Sequence, residues 1–123
     1  MIPYGRQDIS QDDIDSVVEV LKSDYLTQGQ IVPKFEKSLS DFTKAKYSVV
    51  VNSATSALHL ACLALGVGED DVVWTSPITF VASANCARYC GAKVDFIGID
   101  PDTYNLCPQA LEKKLVEAKK KGC

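Results

Sequence analysis

The chain has 123 residues, of which 46% are hydrophobic and 24% charged, and its formal net charge is −3. This composition is typical of one small globular domain, and the acidic balance argues against nucleic acid or an anionic membrane as a partner. The longest apolar run is far too short for a membrane span and the N-terminus lacks the apolar core of a signal peptide, so we expect a cytoplasmic protein.

The cysteine and histidine content excludes two further kinds of site. An odd count of five cysteines in a chain that does not look secreted argues against a disulfide framework. The spacing of these cysteines, together with the single His59, gives too few ligands for a metal site. We therefore expect free, partly buried thiols and no metal.

Two helices are expected before residue 46. Ser10 can cap the first, whose apolar residues recur at helical spacing as far as Ser23. A loop follows, and the second helix is expected over residues 31–43. We assign residues 1–45 to an N-terminal helical arm and residues 46–123 to an α/β domain.

From residue 46 onward, strand and helix patterns alternate, which predicts parallel strands joined by helical crossovers. The first strand is predicted at residues 47–51 and is expected to be buried. The helix at residues 54–65 is apolar nearly all round, so it is also expected to be buried. The remaining predicted elements are strands at 71–75 and 93–97 and helices at 80–89 and 108–121.

The most informative segment is residues 52–57, a cluster of small polar side chains between a predicted strand and a predicted helix. In open parallel sheets, ligands bind beyond the carboxyl ends of the strands, and helix N-termini attract anions. Thr55 and Ser56 can therefore hold a phosphate through N–H and hydroxyl groups, or the cluster can serve only as a helix cap. The pattern gives both interpretations equal weight. It is neither a Walker loop nor GxGxxG, which disfavours a nucleoside triphosphate.

Three other residues have a structural and a functional interpretation. Phe80 lies at the end of the next predicted strand and can stack on a flat ring, although packing beneath the helix start is commoner. For Asp100 a turn-capping role is favoured, and for His59 a packed, hydrogen-bonded role. No catalytic set of the Ser/His/Asp or Cys/His kind can be assembled.

Five motifs occur in order along the chain. They lie at residues 2–7, 23–29, 35–36, 52–58 and 76–82. Together they resemble the DegT/DnrJ/StrS sugar aminotransferases, which use pyridoxal 5′-phosphate (PLP). The resemblance covers essentially the whole chain. It implies an α/β fold, the N-terminal part of a fold-type-I PLP-dependent transferase large domain, with a mostly parallel sheet and helices on both faces. Residues 46–123 would then be a partial PLP-binding large domain.

The resemblance also implies roles for matching positions. Thr55 and Ser56 would bind the cofactor phosphate, and Phe80 would stack on the pyridine ring. The reaction would move an amino group from glutamate to a UDP-4-keto-6-deoxy amino sugar of the pseudaminic acid pathway, and the complete enzyme would be a homodimer. The residues that would line the substrate site are Tyr4, Asp24, Tyr25, Leu26, Thr27 and Ala54.

One departure from the family pattern is large. The family's Schiff-base lysine would lie beyond Cys123, and no lysine present matches its motif. We therefore expect a fragment that is inactive by itself. Its strand at 47–51 would lack its native neighbours, so it would pair in a non-native order or with another chain in a strand-swapped oligomer. The alternatives are a non-catalytic phosphate or nucleotide-sugar binding module, a fragment that binds nothing, and a PLP-dependent sugar dehydratase of the same family.

Overall fold

The computed structural model describes residues 5–122, so the assignment of Tyr4 lies outside the described residues. The chain divides into two compact units, Met1–Val50 and Val51–Cys123. None of the helices within residues 5–122 is long and apolar enough to cross a membrane. The elements of this range are α1 (Gln11–Lys22), α2 (Ile31–Thr43), α3 (Ala54–Ala64), β1 (Val72–Thr75), α4 (Ala82–Tyr89), β2 (Lys93–Phe96) and α5 (Pro108–Lys120).

The first unit contains α1 and α2, which confirms both helix predictions. A capping box begins α1: the Ser10 hydroxyl accepts the Asp13 N–H at 3.3 Å, and the Asp13 carboxylate accepts the Ser10 N–H at 2.8 Å. These hydrogen bonds from Ser10 hold the pKa of the Asp13 carboxyl below its usual value. Helix α2 ends at Lys44, which adopts a left-handed conformation with φ of 61°.

The predicted buried strand at residues 47–51 is wrong. In the structure this segment is irregular, and the side chains of Tyr47 and Val49 are 76% and 77% exposed. One anchor is the Val50 N–H, which donates to Glu36 Oε1 at 3.0 Å. Since a strand exists only when its backbone pairs, β propensity without a partner leaves an irregular segment. Pairing in a different order is also not seen, because β1 and β2 form the only ladder among residues 5–122.

The second unit contains a small parallel sheet covered by α4, which confirms the α/β prediction. In the ladder Val72 lies opposite Lys93 and Thr75 opposite Phe96. Helix α4 contacts both strands and α3. The buried apolar residues are Ala82, Cys86, Ala87, Ala92 and Ile97. The core of this unit therefore lies at the junction of α4 with the sheet.

Helix α3 is less buried than its composition predicted. It spans the expected residues, but none of them is buried, and Leu58, Leu60 and Leu63 are 39%, 48% and 51% exposed. Helix α4 packs against α3 and covers one of its sides. A helix that is apolar all round is buried only when neighbours surround it. The apolar surface of α3 is thus only partly covered within the second unit.

Candidate functional site

The polar loop before α3 is held together by its own side chains. Ser53 is the N-cap, and its hydroxyl accepts the Ser56 N–H at 3.2 Å. The Ser56 hydroxyl donates to Asn52 Oδ1 at 3.0 Å and also lies 3.0 Å from the Ser53 hydroxyl. This set of three polar residues fixes the entry into the helix, and an N-cap of this type is worth about 1 kcal/mol. The helix-cap interpretation is therefore confirmed for Ser53.

The same loop also leaves donors free for an anion. Within the described part of the chain, the backbone N–H groups of Ala54 and Thr55 make no hydrogen bond. Both lie at the positive end of the α3 dipole, and the first turn carries no acidic residue that would repel an anion. Thr55 and Ser56 are half-buried, with hydroxyls on the same turn. Capping by Ser53 and anion binding by its neighbours are thus compatible.

Phe80 is in the loop that precedes α4 and is 73% exposed. It does not pack beneath the start of the helix, which was the commoner expectation for an aromatic residue at that place. The helix begins at Ala82, two residues later than the pattern predicted. Phe80 and the Thr55–Ser56 pair therefore lie at the N-termini of α4 and α3, two helices that pack on each other.

The residues predicted to contact substrate are only partly brought together. Asp24, Tyr25 and Leu26 line a groove of about 620 Å³ within the first unit, between the end of α1 and the start of α2. Thr27 belongs to the same loop but does not line this groove. Ala54 is the first residue of α3 in the other unit and is exposed.

Glycine is required at position 29 of the loop that forms the groove. A Cβ atom at Gly29 would lie 2.9 Å from the carbonyl oxygen of Tyr25, closer than side-chain atoms approach backbone. Gln28, just before it, has a positive φ of 55°. These two features fold the loop back on itself. In this loop the Tyr25 and Leu26 side chains are 71% and 65% exposed.

A second groove of about 1130 Å³ was not predicted from the sequence. It lies in the second unit between the sheet and α5. Its central cation is Lys114, whose Nζ donates to the Phe96 carbonyl at 2.8 Å, pairs with Asp95 and lies 5.4 Å from the centre of the Trp74 ring. The hydrogen bond from Lys114 holds the pKa of the Asp95 carboxyl below its usual value. Sequence spacing could not reveal these contacts, since Lys114 is 18 residues from Phe96.

Asp100 has the turn-capping role that the sequence favoured, whereas His59 has only the packing part of its expected role. Asp100 Oδ1 accepts the N–H groups of Thr103 at 2.8 Å and Asp102 at 3.0 Å, and these bonds, Thr103 first, lower the pKa of Asp100. The His59 ring packs edge-on against Tyr89 with 5.3 Å between centroids. Among the side-chain hydrogen bonds of residues 5–122, none involves the His59 ring. In the same range, no group of three His, Cys, Asp or Glu side chains could hold a metal ion.

Comparisons with known proteins give the same family as the motifs. The model of the DegT/DnrJ/EryC1/StrS aminotransferase family matches residues 7–122. The chain is 48% identical over 117 residues to the UDP-4-amino-4,6-dideoxy-N-acetyl-beta-L-altrosamine transaminase of Campylobacter jejuni subsp. jejuni serotype O:23/36. It is 43% identical over 111 residues to the spore coat polysaccharide biosynthesis protein SpsC of Bacillus subtilis. These alignments cover 95% and 90% of this chain but only 31% and 28% of the relatives.

Solved structures agree with the fold. Spr1654 of Streptococcus pneumoniae in its PLP form, provisionally assigned as a sugar aminotransferase, matches with a TM-score of 0.83 at 34% identity. That match covers 91% of this chain and 29% of Spr1654. The aminotransferase of Psychrobacter cryohalolentis matches with a TM-score of 0.80 at 31% identity, over 90% of this chain and 29% of its own. The chain thus has a portion of the aminotransferase α/β fold, spans less than a third of these relatives, and belongs to the DegT/DnrJ/EryC1/StrS aminotransferase family.

Proposed function

We propose that this chain is the phosphate-binding and substrate-binding portion of a PLP-dependent sugar aminotransferase. The observation that supports this most is the free pair of N–H groups on Ala54 and Thr55 at the capped start of α3. That pair belongs to a chain 48% identical to a UDP-amino-sugar transaminase. The reaction proposed for the whole enzyme transfers an amino group from glutamate to a UDP-4-keto-6-deoxy amino sugar in pseudaminic acid synthesis.

The residues at the start of α3 fit the phosphate of PLP. A phosphate dianion needs several donors and a positive local field, and both are present at this helix terminus. The N–H groups of Ala54 and Thr55 and the hydroxyl of Thr55 would donate to its oxygens, and the Ser56 hydroxyl would do so on turning away from Asn52 Oδ1. The exposed ring of Phe80 supplies an apolar face on which the pyridine ring would stack. When bound, PLP supplies an electron sink, while these residues hold and orient it.

The groove in the first unit fits a nucleotide-sugar portion of the substrate. Its volume of about 620 Å³ is within the range of small-molecule sites. The exposed ring of Tyr25 offers a stacking surface, and the Asp24 carboxylate can accept hydrogen bonds from sugar hydroxyls. We propose Leu26, Thr27, Ala54 and Tyr4 as further substrate contacts, on the strength of the matching family motifs.

Catalysis is proposed for the longer protein and not for these 123 residues alone. No lysine among them matches the family's Schiff-base motif, so we expect binding without turnover. A homodimer, or an oligomer in which residues 47–51 are exchanged between chains, is proposed for assembly. The cytoplasm is the proposed location.

Titration with PLP tests the binding proposal. We expect saturable changes in cofactor absorbance and a raised thermal midpoint for the purified chain. The T55A/S56A double variant should bind at least about tenfold more weakly, because charge-assisted hydrogen bonds are lost. Ser38→Ala, an exposed position on α2, is the matched control and should bind as the wild type does.

Two results would contradict the proposal. Equal PLP affinity of the T55A/S56A variant and the wild type would exclude the Thr55 and Ser56 hydroxyls as ligands of the phosphate. Turnover of a UDP-4-keto sugar with glutamate by the isolated chain would refute its proposed inactivity.

A further inference from the structure

Helix α5 is attached to the second unit more loosely than the other helices of that unit. Helices α3 and α4 pack on each other and α4 contacts both strands, whereas α5 makes no comparably close approach to any element of the described chain. None of its residues is buried, and Leu115 and Val116 are 52% and 48% exposed. Its N-terminal end is fixed, since the Cys107 N–H donates to the Gly98 carbonyl at 2.9 Å. The rest of the helix depends on the side chains that reach the sheet.

One side chain of α5 supplies most of that attachment. Within residues 5–122, Lys114 is the only residue of α5 that forms a hydrogen bond or an ion pair with the sheet. Its ammonium donates to the Phe96 carbonyl at 2.8 Å, pairs with the Asp95 carboxylate, and lies 5.4 Å from the centre of the Trp74 ring. An ammonium has three N–H donors, so it can serve both strands at once. Lys114 thus spans the groove of about 1130 Å³ between α5 and the sheet.

We propose that α5 is a releasable strap, fixed at Cys107 and closed on the sheet by Lys114, which opens when salt or acid weakens the pair between Lys114 and Asp95. Opening leaves the core in place, because no residue of α5 is buried. It uncovers the groove and the ring of Trp74, which is half-buried in the closed form. The inference does not depend on the proposed function, since the strap includes neither the α3 terminus nor the groove of the first unit.

The exposure of the pair suits a reversible device. The side chains of Lys114 and Asp95 are 24% and 54% exposed. A pair so open to water contributes little to stability and is screened by salt, whereas a fully buried pair would hold the helix permanently. At about 1 M salt the screening distance falls to about 3 Å, so the pair weakens while the apolar core does not. Salt should therefore loosen α5 without unfolding the unit.

Acid acts on the strap through Asp95. The hydrogen bond from Lys114, and after it the Phe96 N–H, hold the pKa of the Asp95 carboxyl below its usual value. This carboxylate therefore supports closure above its ordinary pKa of about 4, and its support is lost as the pH falls through the lower value of the closed form. Lys93, two residues before Asp95, projects from the same side of β2. The other charged residues that line the groove form no ion pair within residues 5–122, and they are Asp70, Asp71, Glu117, Lys119 and Lys121.

Hydrogen exchange of the full chain, measured by mass spectrometry on separate α4 and α5 peptides, tests the salt response. Raising NaCl from about 0.01 M to about 1 M at pH 7 should speed exchange of the α5 amides about threefold and leave the α4 amides unchanged. K114M should speed α5 exchange about fivefold at low salt and abolish the salt response, because methionine keeps an apolar stem without the charge. K37M is the matched control, since it removes the pair between Lys37 and Asp41 on α2 and should leave α5 as in the wild type.

Fluorescence of Trp74, the single tryptophan of the chain, tests the acid response. At pH 6 acrylamide should quench D95N about twofold more strongly than the wild type, and the wild type should approach the D95N value as the pH falls toward 3. The proposal is overturned if K114M leaves α5 exchange unchanged, or if D95N and the wild type are quenched equally at pH 6. It is also overturned if salt speeds α4 and α5 of the wild type together, a result that no folding defect of a variant can produce.

Discussion

Two neighbouring segments of the sequence, residues 47–51 and residues 52–56, differ in whether the structure forms the element predicted for them. The first segment was predicted as a buried strand, but it is irregular, with Tyr47 and Val49 exposed and the other three residues half-buried. The second was predicted as a helix entry and is built as expected, with Ser53 as its cap. The helix entry needs only partners within four residues, whereas the strand needs a backbone that lies elsewhere in the chain or in another chain. The helix entry therefore forms from neighbouring residues alone, whereas the strand forms only where a partner strand is present.

The largest expected effect on stability sharpens this comparison, because it contrasts a buried apolar side chain of the sheet with an exposed one in residues 47–51. Ile97 is 2% exposed and its N–H donates to the Thr75 carbonyl at 3.0 Å. Ile97→Ala should lower the free energy of unfolding by about 3 kcal/mol, because it leaves a cavity in the core. Val49→Ala, at a position 77% exposed, should change it by less than about 0.5 kcal/mol. Urea denaturation measures both. A Val49→Ala loss as large as that of Ile97→Ala would show that the segment is packed in solution.

A second prediction tests the local backbone conformation of the turn that joins α4 to β2. Gly91 has φ of 83°, and a Cβ atom there would lie 2.9 Å from Glu69 Cγ. Gly91→Ala should cost about 1–2 kcal/mol, since alanine is strained at positive φ. Gly98→Ala is the matched control, because a Cβ atom there has open space. Equal thermal midpoints for the two variants would contradict the strain argument.

The third prediction tests whether the Ser53 cap determines where α3 begins. The comparison fails if it does not. Ser53→Ala removes the hydroxyl that accepts the Ser56 N–H, and should cost about 1 kcal/mol. Ser38→Ala replaces an exposed serine inside α2 and should cause no loss, because alanine favours helix. Chemical denaturation of both variants provides the measurement. An unchanged stability for Ser53→Ala would mean that packing, and not the cap, begins α3.

The smallest expected effect is a pH dependence at a second local turn. Hydrogen bonds from Thr103 and Asp102 lower the pKa of Asp100 in the folded state. The stability that Asp100 contributes is therefore present above its unfolded pKa of about 4 and is lost as the pH falls through its lower folded value. The thermal midpoint of the wild type should exceed that of Asp100→Asn at pH 6, and the difference should shrink toward pH 2. A difference that stays constant over this range would exclude the charge as its cause.

Most of the parts of the fold that sequence predicted correctly have short-range causes. Ser10 and Asp13 begin α1, Pro108 begins α5, and both helices appear where the pattern placed them. The parallel pairing of β1 and β2 also followed from the alternation of elements. The burial of α3 was overestimated because hydrophobic composition describes what a helix can bury and not what is present to cover it.

The candidate site shows the same limit. The polar loop and Phe80 were predicted as site candidates from their positions beside predicted strands, and they stay predictions. The contacts of Lys114 with Trp74 and with the Phe96 carbonyl could not be found, since they join residues far apart in sequence through the sheet. The predicted substrate residues came from motifs alone, and they include Thr27, which does not line the groove.

The irregular, partly exposed segment at residues 47–51 has a consequence for handling the protein. Its sequence is short, β-branched, uncharged and free of proline, which is the signature of an aggregation-prone stretch. Lys44 and Lys46 stand directly before it, and the Lys46 ammonium lies 5.2 Å from the centre of the Tyr47 ring. Charged residues at such flanks act as gatekeepers that oppose fibre formation. Solubility of this chain should therefore depend on salt and on these two lysines.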